Sequence, residues 1–245
     1  MKKMTFPKRI LSLSLAVLMT LGLTGCRGGD KISTDDAKKC VQVEMDTTYK
    51  GDFSGFVDFY SNVTTSDAKE QYDSKIESEA AYFMNLYGVP SPEDRNTALT
   101  PSDLQLYRAR ELYKQIYSRA DYTIVSSSKQ DDGTYAVKVT VRPLDIIKLV
   151  DDNFDAGFEA FWAKFDAVDV DAMTDDEYID WYTNVLAPEY YDTRLDVLED
   201  QVPDMGTLAE KDIVIQVQLA EDESLFISNE DFSNLDWLII DYNAE

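Results

Sequence analysis

The chemistry open to this chain is that of carboxylates, hydroxyls and two thiols. It has 47 Asp and Glu, no histidine, and cysteines at 26 and 40 alone. Without imidazole, the Ser-His-Asp and Cys-His arrangements are excluded. The acids fall into two suggestive strings. Asp151-Asp152-Asn153-Phe154-Asp155 begins like a calcium loop. It then places Ala156 where such a loop needs Gly and Trp162 where it needs a bidentate Glu. It reads as a solvated helix face. Asp166, Asp169 and Asp171 precede Asp175, Asp176, Glu177 and Asp180. Loop carboxylates can converge on a hard cation, yet the latter acids equally suit a helix N-terminus. A carboxylate pair could hydrolyse a glycoside only if one member were desolvated. Phosphate-binding Gly loops, dinucleotide fingerprints and nucleophile elbows do not occur. No catalytic residue, metal ligand or cofactor is assigned.

Aromatic residues are dense between 154 and 191. Phe154, Phe158, Phe161 and Phe165 repeat at helical spacing and predict a core seam. Trp162, Tyr178, Trp181, Tyr182, Tyr190 and Tyr191 lie close by in sequence. The surplus tyrosines are the candidates for stacking on a sugar or peptide, because a hydroxyl favours a wet edge.

Cys26 sits in the most specific motif. Lys2, Lys3, Lys8 and Arg9 give a positive start, and Ile10 to Leu23 is an uncharged apolar run of fourteen residues. That is the pattern of a secretion signal, too short for the roughly 20 residues of a membrane-spanning helix. It ends Leu23-Thr24-Gly25-Cys26, which resembles the lipobox of bacterial lipoproteins. The resemblance implies a diacylglyceryl group on the Cys26 sulfur and cleavage before Cys26, with or without acylation of the new amine. Two or more acyl chains give durable anchoring where one is marginal. Residues 1–25 are then a signal peptide, 26–33 a lipidated tether, and 34–245 an extracytoplasmic domain. With Cys26 modified, Cys40 has no disulfide partner and is the one soft metal ligand left, so the usual zinc sites are excluded. Cys40 shares a helical stripe with Ala37, Val41 and Met45 and is expected to be buried.

Charge narrows the partners. The first 25 residues hold four Lys/Arg and no acid, so the remaining 220 carry 19 basic against 47 acidic residues, a net of −28. Such a surface repels nucleic acid and anionic headgroups and attracts cations diffusely.

Elements follow from periodicity. Helices are expected over Thr34–Tyr49 and Phe53–Tyr60, then from an Asp67/Glu70 capping pair to Tyr87, where Gly88 and Pro90 stop it. Val89 to Thr100 reads as the least ordered loop. Thr100-Pro101 then reads as N-cap and first helical residue of a helix ending near Arg119. Two strands, Tyr122–Ser127 and Thr134–Arg142, flank Asp132-Gly133. A helix from Asp145 to Asp166 and another opened by a Thr174/Glu177 capping box follow, the latter kinked or divided at Pro188. Strands near Ile213–Leu219 and Leu225–Ile227 and a helix from Glu230 to Ile240 close the chain. This predicts a helix-rich α+β fold with two antiparallel hairpins in one four-stranded sheet and helices on one face. Two subdomains split near Pro143 are the alternative.

The stretch Tyr49-Lys50-Gly51-Asp52-Phe53-Ser54, the acidic helix ending Phe83 to Gly88, and Ile116-Tyr117 to Tyr122 leading into the Asp132-Gly133 hairpin and Pro143 resemble surface lipoproteins of Gram-positive bacteria. The likeness spans most of 36–240. It implies an outward-facing protein lipid-anchored at the cell membrane and brings no activity or site residues. The leading expectation is therefore a non-catalytic binding domain at the cell envelope. Its partners would be the membrane, through lipid on Cys26, and a membrane protein, envelope glycan or peptide. A carboxylate- or metal-dependent envelope hydrolase is the second reading, and the solute-binding component of a transporter the third.

Overall fold

A computed structural model describes residues 32–61, 63–94, 97–220 and 224–242. The fold is helix-rich α+β with one four-stranded antiparallel sheet. The helices are α1 (Thr34–Met45), α2 (Ser54–Phe59), α3 (Thr65–Leu86) and α4 (Asp103–Tyr117), before strands β1 (Asp121–Lys129) and β2 (Tyr135–Arg142). Then come α5 (Ile146–Asp152), α6 (Phe154–Gly157), α7 (Glu159–Phe165), α8 (Asp175–Trp181) and α9 (Ala187–Gln201). Strands β3 (Lys211–Leu219) and β4 (Leu225–Ile227) and helix α10 (Asn229–Ile239) complete the order.

The chain divides into two compact units. A sheet unit contains the described residues up to Ile76, Lys114–Ile147 and Met205 onward. A helical unit contains Glu77–Tyr113 and Lys148–Asp204.

In the sheet unit the strands lie in the order β1-β2-β3-β4. Alternation decides which face is core. Tyr135, Val137, Val139 and Val141 of β2 are buried, with Ile215 and Val217 of β3 beside them. Val137 pairs with Ile215 and Tyr135 with Val217, which puts these side chains on one face. Helix α1 crosses all four strands and α10 lies on β2 and β3. Val125 forms an irregularity in β1 between Ile124 and Ser126. At the β1–β2 turn, Gly133 takes φ +90°, and the Asp132 carboxylate accepts from the Thr134 amide at 3.0 Å and its hydroxyl at 2.7 Å.

Local chemistry explains where the sequence expectations shift. Helix α3 starts earlier than expected: Thr64, not Asp67, is its cap, and Asp67 is the acid that closes the box on the Thr64 amide at 2.7 Å. Helix α4 starts later. Ser102 caps it against Gln105, so Pro101 stands outside the helix. The expected helix 145–166 is three short ones, broken at Asn153 and Phe158. The Asn153 side-chain amide donates to the Leu149 carbonyl at 2.9 Å, sharing it with the Asn153 backbone N–H at 3.1 Å, and to Gln201 at 3.1 Å. Gly157 permits close approach to α9, since a Cβ there would lie 2.3 Å from Val197 Cγ2. Pro188 divides its helix as allowed for. It has no N–H and its ring crowds the preceding turn, and the wider π turn Tyr182–Leu186 precedes it. The loop after Val89 is tied at its ends by Leu99 N–H to the Val89 carbonyl, 2.8 Å, and Ser91 N–H to the Thr97 carbonyl, 2.8 Å.

Candidate functional site

Cys26 and the rest of its motif lie outside the described residues, as does most of the tether. What is described is where the tether ends. Tyr135 Oη donates to the Ile32 carbonyl at 2.7 Å, at the turn end of the sheet. Ser33 then opens α1 with a full capping box. Its amide and hydroxyl donate to the Asp36 carboxylate at 2.8 and 2.7 Å, and its hydroxyl accepts from the Asp36 amide. Cys40 is fully buried one turn of α1 further on, with Ala37, Val41 and Met45.

The acidic strings do not build a site. Asp151 accepts from Tyr87 Oη at 3.1 Å and pairs with Arg194 at 3.3 Å, while Asp152 pairs with Lys148 at 2.7 Å. Asp166, Asp169, Asp171, Asp175, Asp176 and Asp180 are all exposed. Glu177 closes the capping box on Thr174, and those hydrogen bonds hold its carboxyl below the usual range. Among the described residues, no group of three or more His, Cys, Asp or Glu could hold a metal ion.

The aromatic expectation is half corrected. Phe158, Phe161 and Phe165 are buried, as a core seam requires, while Phe154 at its start is half-buried. Tyr182, Tyr190 and Tyr191 are buried too, so they are not free to stack on a ligand. The Tyr191 hydroxyl donates to the Leu99 carbonyl at 2.6 Å and accepts from the Val89 amide at 3.1 Å. Burial pushes its pKa up to about 12. A phenol here closes an irregular loop rather than meeting solvent. Of the candidates, Trp162, Tyr178 and Trp181 keep partial exposure.

The unusual chemistry lies inside the two units. In the sheet unit Glu44 is 3% exposed. Tyr60 Oη donates to it at 2.7 Å, and Gln71 Nε2 donates at 3.3 Å while also reaching Thr48 at 3.1 Å. Cys40 Sγ lies 3.4 Å from the same Tyr60 oxygen. Burial raises the Glu44 pKa, and the bonds from Tyr60 and Gln71 offset part of that rise. Burial, then the neighbouring Glu44, pushes the Tyr60 phenol well above its usual value. A protonated carboxyl in this position could donate or accept, which suits a network of hydroxyls and amides. Nearby on α3, Lys75 Nζ pairs with Asp236 at 2.5 Å, lies 5.5 Å from the Tyr117 ring, and Tyr49 Oη donates to the same carboxylate at 3.1 Å. In the helical unit, Arg194 is 2% exposed. Its guanidinium lies 3.4 Å from the Tyr87 ring centre and 5.0 Å from that of Phe154.

These groups carried a signal in the sequence. Glu44 interrupts the stripe Ala37, Cys40, Val41, Met45, and Arg194 interrupts Tyr190, Tyr191, Leu195, Leu198. A charge at a core position predicts either a register error or a built partner.

Among the described residues, no helix is long and apolar enough to cross a membrane. No protein-family model matches the sequence, and no curated protein matches it. A solved structure does share the fold: a Bacillus subtilis chain, ycdA, assigned as a lipoprotein. The TM-score is 0.51 at 16% identity, over 84% of this chain. This chain spans 56% of that chain's length, and at such identity the likeness is one of fold.

Proposed function

We propose that this protein is an extracytoplasmic lipoprotein, cut before Cys26, anchored in the cell membrane by lipid on that cysteine, and serving there as a non-catalytic binding or interaction domain. The observation that carries the anchoring is the run of charge, apolar length and Leu23-Thr24-Gly25-Cys26 in one segment. Two further points support it. The fold is shared with a chain itself assigned as a lipoprotein. Ser33 also caps the first described helix, a few residues after Cys26 in sequence. For the binding role, the support is how the chemistry is spent. Asp151, Tyr191 and Glu44 serve helix packing, loop closure and a buried network.

The test has two parts. Cys26→Ala should end metabolic lipid labelling and move the protein from membrane to medium; retained labelling would refute the site. Thermal unfolding against calcium, magnesium, cell-wall fragments and short peptides then sorts the ligand class. A ligand at about 100 times its Kd adds about 2.7 kcal/mol. Turnover of a cell-wall fragment, lost on replacing one carboxylate, would instead favour the hydrolase.

A further inference from the structure

Within the helical unit, one helical segment keeps an apolar face open. Residues 166–181 include none that is buried, first through a 3-10 turn at Val170–Ala172 and then through α8. The segment still carries large apolar groups. Val170 is 38% exposed, and Tyr178 and Trp181 are half-buried. The π turn Tyr182–Leu186 extends the face with Val185, which is 44% exposed. Tyr178, Trp181 and Val185 follow one another at helical spacing and so share one side of the segment. Their rings are braced from behind. Trp181 rests on buried Phe165 with ring centres 5.9 Å apart, and Tyr178 on buried Tyr182 at 5.7 Å. Rings held this way form a rigid apolar platform that loses little freedom when a ligand covers it.

We infer that this face docks a cationic, amphipathic peptide segment of a protein partner. Apolar side chains of that segment cover Trp181 and Val185, and its Arg or Lys residues lie among the surrounding acids. The inference rests on the binding role and names its partner. Charge selects the occupant. Between Lys164 and Arg194 the sequence has nine acidic residues and no basic one. Both flanking cations are engaged, Lys164 with Glu189 at 2.8 Å and buried Arg194 with Asp151 at 3.3 Å. Several exposed acids elsewhere are matched, Asp121 by Arg142 at 2.9 Å, Asp212 by Lys138 at 2.7 Å and Asp152 by Lys148 at 2.7 Å. Asp166, Asp169, Asp171, Asp175, Asp176 and Asp180 have no ion pair among the described residues. Asp176 and Asp180 stand one helical turn apart and repel each other. These acids build no site by themselves. Among the described residues no three are placed to hold a metal ion, so their charge is met by cations spread along a chain. A guanidinium suits the place best, because it pairs with carboxylates and stacks on an indole face. Anionic headgroups are repelled from it.

The experiment uses the full chain, processed in cells and extracted in a neutral detergent. The probe is a short fluorescent peptide of alternating Arg and Leu that also carries a photocrosslinking group. Expected is saturable binding, with the crosslink mapped by mass spectrometry to residues 166–186. Trp181→Ser should weaken binding about tenfold, as loss of an aromatic anchor does. Val185→Ser, at an exposed position that the fold does not need, should weaken it as well. Asp175→Asn, Asp176→Asn and Asp180→Asn together should weaken it about fivefold. Asp58→Asn, Asp131→Asn and Asp204→Asn together remove the same charge from other exposed positions and should change it less than about twofold. A peptide of alternating Arg and Ser should bind more weakly than the Leu peptide. Equal binding of the two peptides would overturn the apolar contact. Equal losses from the two sets of Asn substitutions, or crosslinks scattered over the surface, would mean diffuse charge attraction and overturn the site. A neutral cell-wall oligosaccharide that binds at 166–186 where the peptide does not would overturn the cationic partner. A ligand that raises the unfolding temperature equally in the parent and in Val185→Ser, with no peptide crosslink at 166–186, would keep the binding role and overturn this face.

Discussion

The two units bury cations by different chemistry. In the helical unit Arg194 sits among aromatic rings, with one carboxylate, Asp151, and no hydrogen-bond partner on Nε among the described residues. A planar, weakly hydrated guanidinium tolerates such a site because ring faces attract it and little hydration is lost. In the sheet unit Lys75 is held by Asp236, which also accepts from Tyr49. The same unit buries Glu44 among Tyr60, Gln71 and Thr48. The helical unit thus buries a charge it cannot titrate away. The sheet unit buries groups that can become neutral. The difference should appear as pH dependence in one unit and its absence in the other.

The sharpest break of this comparison comes from removing the carboxylates. Both are partly exposed, 32% for Asp151 and 25% for Asp236, whereas their cations are 2% and 4%. Asp151→Ala strands a guanidinium that cannot lose its proton, at a cost of about 3–5 kcal/mol at any pH from 6 to 9. Arg194→Met should cost less, because Asp151 is exposed enough to rehydrate. Asp236→Ala should resemble Asp151→Ala near neutrality but relax in base. A lysine ammonium, unlike a guanidinium, can give up its proton, so the penalty falls as pH rises. Chemical denaturation of each variant against the parent, at pH 7 and 9, checks all three. Equal pH slopes for the two Ala variants would erase the distinction.

Smaller effects sharpen the account of the sheet unit. Cys40→Ala opens a small cavity and removes a contact to Tyr60, for about 1–2 kcal/mol, and leaves membrane anchoring unchanged. Rapid reaction of native Cys40 with a thiol reagent would contradict its burial. Glu44→Gln tests the raised carboxyl. A folded pKa above the unfolded value near 4.3 means the folded state binds its proton more tightly. Glu44 therefore favours folding in acid, and that advantage is lost progressively as pH rises from the unfolded pKa to the raised folded one. The Gln variant lacks this loss, so its stability relative to the parent should rise between pH 4 and neutrality. A pH-independent difference would mean that Glu44 titrates alike in the folded and unfolded states.

The sheet was the most legible part of the fold. Alternation from Tyr135 to Val141 and from Ile213 to Leu219 marks its faces because one face meets α1 and the other meets water. Helix starts were less so. Thr64 and Ser102 compete with nearby Asp67 and Thr100, and only the carboxylate or amide that actually reaches back decides between them. The breaks at Asn153 and Phe158 were hidden because the aromatic spacing from Phe154 to Phe165 looks continuous. Of the bonds that Asn153 makes there, the one to Gln201 is tertiary. The motif proposed at Cys26 is wholly local, a run of charge, apolar length and four consecutive residues, so sequence alone suggests it. Glu44, Lys75 and Arg194 show in sequence only as charges in apolar stripes. Their partners Tyr60, Asp236 and Asp151 are 16, 161 and 43 residues away. Tyr190 and Tyr191 misled for the same reason: the groups that meet the Tyr191 hydroxyl, at Val89 and Leu99, lie about a hundred residues upstream.

The most direct test of the central claim is the mass of the N-terminal peptide of the protein extracted from cell membranes. The account predicts a peptide beginning at Cys26, heavier by a diacylglyceryl group on sulfur, with or without an amide-linked acyl chain. A peptide beginning elsewhere, or at Cys26 with a free thiol, would contradict it.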